Sequence, residues 1–107
     1  MIALCGRLNA AVDAEIAALP SDMRAWLVRI SILIEAIGLE RLPRDTVKHL
    51  EGKLREIRVK AVSGISRAIY VAASGQRVLI VRAFTKKTQK TLQRELEVAR
   101  ERAKEVR

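Results

Sequence analysis

The sequence predicts a single α/β domain of the α+β kind: an antiparallel sheet, two helices before it on one face, and one helix after it. Three observations predict it. Leu54–Ala61, Ser66–Ala73 and Arg77–Thr85 are short apolar runs with strand-like alternation. They are joined by links around Gly64 and by Ser74-Gly75-Gln76, which are too short for anything but antiparallel pairing. Helical spacing of apolar residues precedes and follows this block. The whole chain, residues 1–107, is one domain: long enough for a single core and too short for two.

Met1–Leu8 is short and apolar, and is expected as an edge strand leading into a helix. From Asn9 to Leu19 the apolar positions Val12, Ile16 and Leu19 recur at helical spacing, with Asn9 as the cap. Pro20 breaks that helix, and Ser21 or Asp22 caps the next. This second helix, Asp22 to Ile37, carries an apolar stripe of Met23, Trp26, Leu27, Ile30, Leu33, Ile34 and Ile37 to lay on the sheet. Val28 and Ile32 lie on its other side, where packing on the first helix is the expectation and a site for another chain the alternative. Gly38 ends it. Leu39–Leu50, with Pro43 and Arg44-Asp45, reads as a connection. In the first of the three runs Ile57 and Val59 share one face, and Glu56, Arg58 and Lys60 the other, joined there by Arg67. In the last, Val78, Ile80 and Phe84 fall on one side and Leu79, Val81 and Ala83 on the other. The final helix starts near Thr91, with Leu92, Leu96, Ala99, Ala103 and Val106 as its stripe and Glu97–Arg100 and Glu101–Lys104 as pairs one turn apart.

The formal net charge is +9, and it is unevenly placed. Residues 1–40 carry three Lys/Arg against five Asp/Glu, whereas residues 41–76 carry eight against three. Residues 77–94 carry six and no acid, and residues 95–107 balance. A field concentrated in the middle of the chain and around Lys86 attracts a polyanion, and RNA is the expected one. Cys5 is the only cysteine, so an intrachain disulfide is excluded and Cys5 reads as a small buried apolar residue. Arg7, Asp13 and Glu15 interrupt the N-terminal apolar residues, and Arg29 and Glu35 interrupt the most apolar helix. A cytoplasmic protein without a signal peptide or membrane partner is therefore expected. One His and one Cys do not make a zinc site, and there is no Gly-rich phosphate loop or Ser-His-Asp set, so no cofactor is expected. His49, beside Leu50, reads as structural rather than as a base, and Tyr70 as a core aromatic.

RNA can be cut without metal when a 2′-hydroxyl attacks the neighbouring phosphate. A base removes the hydroxyl proton, a cation balances the phosphorane, and an acid protonates the leaving 5′-oxygen. Arginine suits the middle task because its fork meets two phosphate oxygens and stays charged. A lysine crowded by other cations has its pKa lowered and becomes a usable base. Glu56 offers either a base or a structural partner for its neighbouring cations, and the second reading is the simpler.

Three segments carry a family resemblance: Gly52-Lys53-Leu54-Arg55-Glu56-Ile57-Arg58, Gly64-Ile65-Ser66-Arg67-Ala68-Ile69-Tyr70 and Phe84-Thr85-Lys86-Lys87-Thr88-Gln89-Lys90-Thr91. In order and spacing the chain resembles the HigB-type, phage-derived-protein-like toxins of the RelE/ParE toxin superfamily, from about Val12 onward. Glu15-Ile16, Leu19-Pro20, Glu95, Ala99 and Arg102 fit the same pattern, while Arg55, Arg82 and Leu92 stand where members commonly have Trp, His and Pro. The resemblance implies a RelE-like antiparallel sheet and a type II toxin that acts as a ribosome-dependent mRNA endonuclease and arrests growth. It implies as partners a cognate antitoxin, typically of helix-turn-helix type, mRNA on the ribosome, and operator DNA only through the antitoxin complex. It implies catalysis by Arg58, Arg67, Lys86 and Lys87; beside them the chain's own Lys60, Arg82, Gln89 and Lys90 are expected to contact RNA. A ParE-like gyrase-poisoning toxin and a non-catalytic antitoxin-binding module are the alternatives on the same fold.

Overall fold

The computed structural model describes residues 4–38, 41–42, 46–73, 77–85 and 93–106. The element order is β1 (Leu4–Arg7), α1 (Ala10–Ala17), α2 (Ser21–Ile37), β2 (Val47–Glu51), β3 (Leu54–Ala61), β4 (Gly64–Ala73), β5 (Arg77–Thr85) and α3 (Gln93–Ala103). The expected hairpin turn at Ser74-Gly75-Gln76, the Pro43-Arg44-Asp45 punctuation and the segment Lys86–Leu92 lie outside the described residues, as does the side chain of Cys5.

The strands form one sheet in the order β1-β5-β4-β3-β2. Neighbours from β2 to β5 are antiparallel, as the short links require. β1 is the expected edge strand and pairs in parallel with the first half of β5, Leu4 to Arg7 against Arg77 to Ile80. All of β2 but Glu51 lies within Leu39–Leu50, which the sequence presents as a connection. Its five residues, Val47 to Glu51, mix apolar, charged and imidazole side chains with no clean alternation, so periodicity does not reveal it.

α1 starts at its expected cap, but the expected cap of α2 at Ser21 or Asp22 does not form: Pro20 takes the cap position, with no side-chain hydrogen bond there. Asn9 Oδ1 accepts the Val12 N–H at 3.2 Å and caps α1. Asp22, in the first turn of α2, accepts from its neighbour Met23 N–H and, across the fold, from Ser63 N–H and Oγ at 2.9 and 2.6 Å. Those two bonds from Ser63, the side-chain one first, hold the Asp22 carboxyl below its ordinary pKa and pin the start of α2 to the β3–β4 turn. Gly38 ends α2 at φ 83.

The sheet is covered on both faces. α1 and α2 lay Val12, Ile16, Met23, Leu27, Ile30 and Ile34 on Ile57, Val59, Ala68, Tyr70, Val78, Ile80 and Ala83. α3 covers Leu54, Ile69, Val71 and Val81 on the opposite face with Leu96, Ala99 and Ala103. Burying each large aliphatic contributes about 1.5–3 kcal/mol, so this two-sided packing is the main stabilising term. The expected packing of Val28 and Ile32 on the first helix does not form: they are 47% and 62% exposed. They line a groove of about 250 Å³ with Ile16, Leu27, Ser31 and Ile80.

β5 departs from strict alternation. The register shifts between Ile69 and Tyr70, which face Arg82 and Ile80, so Val81 is an extra residue in the strand. Val78, Ile80 and Ala83 therefore share the α1–α2 face, while Leu79, Val81 and Phe84 pack towards α3. The sequence grouping of Phe84 with Val78 and Ile80, and of Ala83 with Leu79 and Val81, is corrected by this bulge.

Candidate functional site

Register decides which predicted residues meet. Arg58 on β3 stands directly opposite Arg67 on β4, and Arg67 opposite Phe84 on β5. Like charges directly opposite across strands repel. Glu56, two residues before Arg58 and on the same face, supplies the balancing charge. Its Oε2 accepts from Arg67 Nη1 at 3.0 Å, and its Oε1 is 3.9 Å from Arg58 Nε. The side chains of Glu56 and Arg67 are 0% and 1% exposed, whereas Arg58 is 32% exposed.

The three expected participants thus take different positions. Arg58 is the accessible guanidinium, on the same face as the exposed Lys60. Arg67, expected to grip phosphate, is sealed inside the sheet on a carboxylate, so in this arrangement it supports its neighbour and presents no free fork to a ligand. Glu56 is the buried ion-pair partner of both arginines. Its full burial and its two arginine neighbours leave no approach for a 2′-hydroxyl.

Arg82, expected as an RNA contact, is engaged by carboxylates within the fold. Its Nε and Nη2 donate to Glu95 at 2.6 and 3.2 Å, and its Nη1 donates to Glu15 at 2.6 Å. Glu95 heads α3 and Glu15 lies on α1, so Arg82 ties both helices to β5. The bond to Glu95 first, against a desolvation penalty, and then the bond to Glu15 raise the Arg82 pKa further. The reason for the cluster lies in the backbone. β1 pairs with β5 only as far as Ile80, and Leu8 N–H closes that ladder on Ile80 O. Beyond it the bulged edge offers Val81 O and Ala83 N–H, and both find side chains: Arg102 donates to Val81 O at 2.9 Å, and Glu15 accepts from Ala83 N–H at 3.1 Å. Arg102 also meets Glu15, at 2.9 and 2.7 Å. Burial opposes ionisation of Glu15, but the bonds from Arg102, Ala83 N–H and Arg82 prevail and lower its pKa. The Glu15, Glu95 and Arg102 positions were visible in the sequence pattern, but their shared purpose depends on a bulge that it does not display.

His49 pairs with Arg55, whose partner Tyr70 belongs to the α1–α2 core, so His49 stands on the opposite face from Arg58. Its Nε2 is 3.0 Å from Gly52 O. Lys86, Lys87, Gln89 and Lys90 lie outside the described residues. The strand that leads to them ends at Thr85 opposite Ser66, one position beyond the Arg67–Phe84 pair, and the chain is described again from Gln93, two residues before the Glu95 that holds Arg82. Among the described residues no group of three His, Cys, Asp or Glu side chains could hold a metal ion, and no helix is long and apolar enough to cross a membrane.

Comparison with known proteins bears on the family and the fold. The family model for the phage derived protein Gp49-like family (DUF891) matches residues 14–104. No curated protein matches the chain. Among solved structures, a doubly substituted toxin RelE from E. coli, in its free state, superposes with a TM-score of 0.62 at 18% identity, covering 97% of each chain, a likeness of fold. The chain therefore belongs to the Gp49-like family of phage-derived proteins and has the RelE fold.

Proposed function

We propose that the protein is the toxin of a type II toxin–antitoxin system, a HigB-type endoribonuclease that cuts mRNA on the ribosome and is held inactive by a cognate antitoxin of helix-turn-helix type. The observation that carries this reading is Arg58: a part-exposed guanidinium beside a buried carboxylate, with Lys60 on the same strand face. In the proposed reaction the 2′-hydroxyl attacks the adjacent phosphorus, a 2′,3′-cyclic phosphate forms, and the 5′-oxygen leaves. Arg58 balances the added charge on the phosphorane with its two-pronged donor set. Lys60 holds a neighbouring phosphate. Lys86 and Lys87 are proposed for the two proton transfers, one accepting from the 2′-hydroxyl and one donating to the 5′-oxygen, and Gln89 and Lys90 for contacts to ribose or phosphate. Glu56 and Arg67 position Arg58 and do not touch substrate.

Induced expression in growing bacteria, followed by mapping of mRNA 5′ ends, tests the reading. Cuts at codon-length intervals are expected, and they should disappear in Arg58→Ala and in Lys87→Ala. Growth arrest with DNA damage and intact mRNA would instead identify a gyrase poison, and neither effect would identify a non-catalytic antitoxin-binding module.

A further inference from the structure

We infer that Lys48 on β2 is an additional RNA-contacting residue, holding a phosphate of the strand whose reacting phosphodiester meets Arg58; this rests on the endoribonuclease reading above. Lys48 pairs directly with Glu56 in the β2–β3 register, so it stands on the face that carries Glu56, Arg58 and Lys60. The ladder continues past it, with Arg58 N–H donating to Thr46 O at 2.8 Å, which fixes β2 alongside the site for its whole useful length. Lys48 is exposed, and the neighbouring Glu56 carboxylate is directed to Arg67. By contrast Arg82, Arg100 and Arg102 are each held by a carboxylate from another element. α3 rests chiefly on β5 and β3 and meets β2 at its far end, where Arg100 binds Glu51 and Leu50 joins the apolar cluster, while Lys48 itself stays exposed.

The spacing suits an extended strand of RNA. Same-face residues along a strand recur every ~6.8 Å, and diagonal neighbours on adjacent strands lie about 7–8 Å apart. Lys48, Arg58 and Lys60 therefore form a bent row of cations with near-equal steps, long enough to meet successive phosphates. A lysine ammonium serves as a point charge that needs no fixed geometry, which fits positioning of the backbone, while the arginine fork sits at the reacting centre.

The test is equilibrium binding of the full chain to a labelled single-stranded RNA, 2′-O-methylated at every position so that it cannot be cut, across a salt series. Lys48→Ala should weaken binding several-fold and lower the slope of log affinity against log salt by about 0.7, the value of one phosphate contact on a single strand. Lys48→Arg should keep the slope. Arg24→Ala, which removes an equal charge from exposed α2, should leave it unchanged. Thermal denaturation of each variant confirms an intact fold. An unchanged slope in Lys48→Ala beside a reduced one in Arg58→Ala overturns the assignment of Lys48 and leaves the reading of Arg58 standing. Equal losses in Lys48→Ala and Arg24→Ala reduce the effect to net charge and overturn it too. No salt-dependent binding by the unsubstituted protein removes both.

Discussion

Glu56 sits between Arg67, which it holds at 3.0 Å, and Arg58, 3.9 Å away and open to solvent. Breaking a buried pair by removing one partner costs about 3–5 kcal/mol, because the other charge is left uncompensated. Arg67→Ala is therefore expected to lose stability of that order in urea denaturation, and to lose toxicity through misfolding. A paired replacement, Glu56→Leu with Arg67→Met, should recover most of the stability, since well-packed apolar residues substitute for buried ion pairs at little cost. RNA cleavage by that double variant should stay low, because Arg58 has lost the acid that orients it; full recovery of cleavage would sink the positioning role. Arg58→Ala should leave stability almost unchanged and reduce cleavage by roughly two to three orders of magnitude, the usual loss when one charge-stabilising donor is removed. The sequence made Arg58 and Glu56 legible as face-mates by simple alternation. It did not separate Arg58 from Arg67, because which arginine is sealed and which is open depends on cross-strand neighbours and not on either residue's own surroundings in the chain.

At the level of elements, helices were the most legible parts. Asn9, Pro20 and Gly38 mark ends by local chemistry alone, and the structure places α1 and α2 within a residue or two of them. β2 escaped notice because an edge strand with exposed Lys48 and His49 has little apolar periodicity to show. The exposure of Val28 and Ile32 was also hidden: a helical pattern states which residues share a side, but not how far the neighbouring helix reaches. Arg100, expected beside Glu97, turns instead to Glu51 on β2 at 2.7 Å, while Glu101–Lys104 forms as expected at 3.0 Å. Turns give a sharper test. Gly64 opens β4 at φ 136, a conformation that side-chain-bearing residues rarely adopt, and an added Cβ would meet only Met23 Cε at 3.5 Å. Gly64→Ala should thus cost about 1–3 kcal/mol through backbone strain alone. Gly52, at φ 51, lies in the left-handed region that Asn tolerates, so Gly52→Asn should be much milder. Equal melting temperatures for the two variants would contradict this ranking.

Over the whole molecule, the +9 charge is less uniform than the composition suggests, because several arginines are consumed inside the fold. Arg82 and Arg102 converge with Glu15 and Glu95, joining α1, β5 and α3 through one cluster. The pH dependence follows from Glu15, whose pKa is lower in the folded state than in the unfolded chain. Such a group stabilises above its unfolded value, about 4.3, and that contribution disappears as pH falls through its depressed folded value. Glu15→Gln should lower stability near neutral pH by about 1 kcal/mol, a figure kept small because the group is partly solvent-screened. The gap between variant and unsubstituted protein should close on acidification below pH ~4, as read by denaturant midpoints at several pH values; a gap that persists in acid would assign Glu15 a purely steric role. The bulge at Val81 carries one more consequence. Because it is the surplus member of its strand, excising it would leave the parity of the described residues downstream untouched: Arg82 and Phe84 would still look towards α3. Removal of Arg82, which shares that side with Val81, would keep the alternation as well but would dismantle the ion cluster with Glu15 and Glu95, whereas removal of Ile80 or Ala83 would turn part of the strand inside out; position 81 is therefore where shortening this strand costs least.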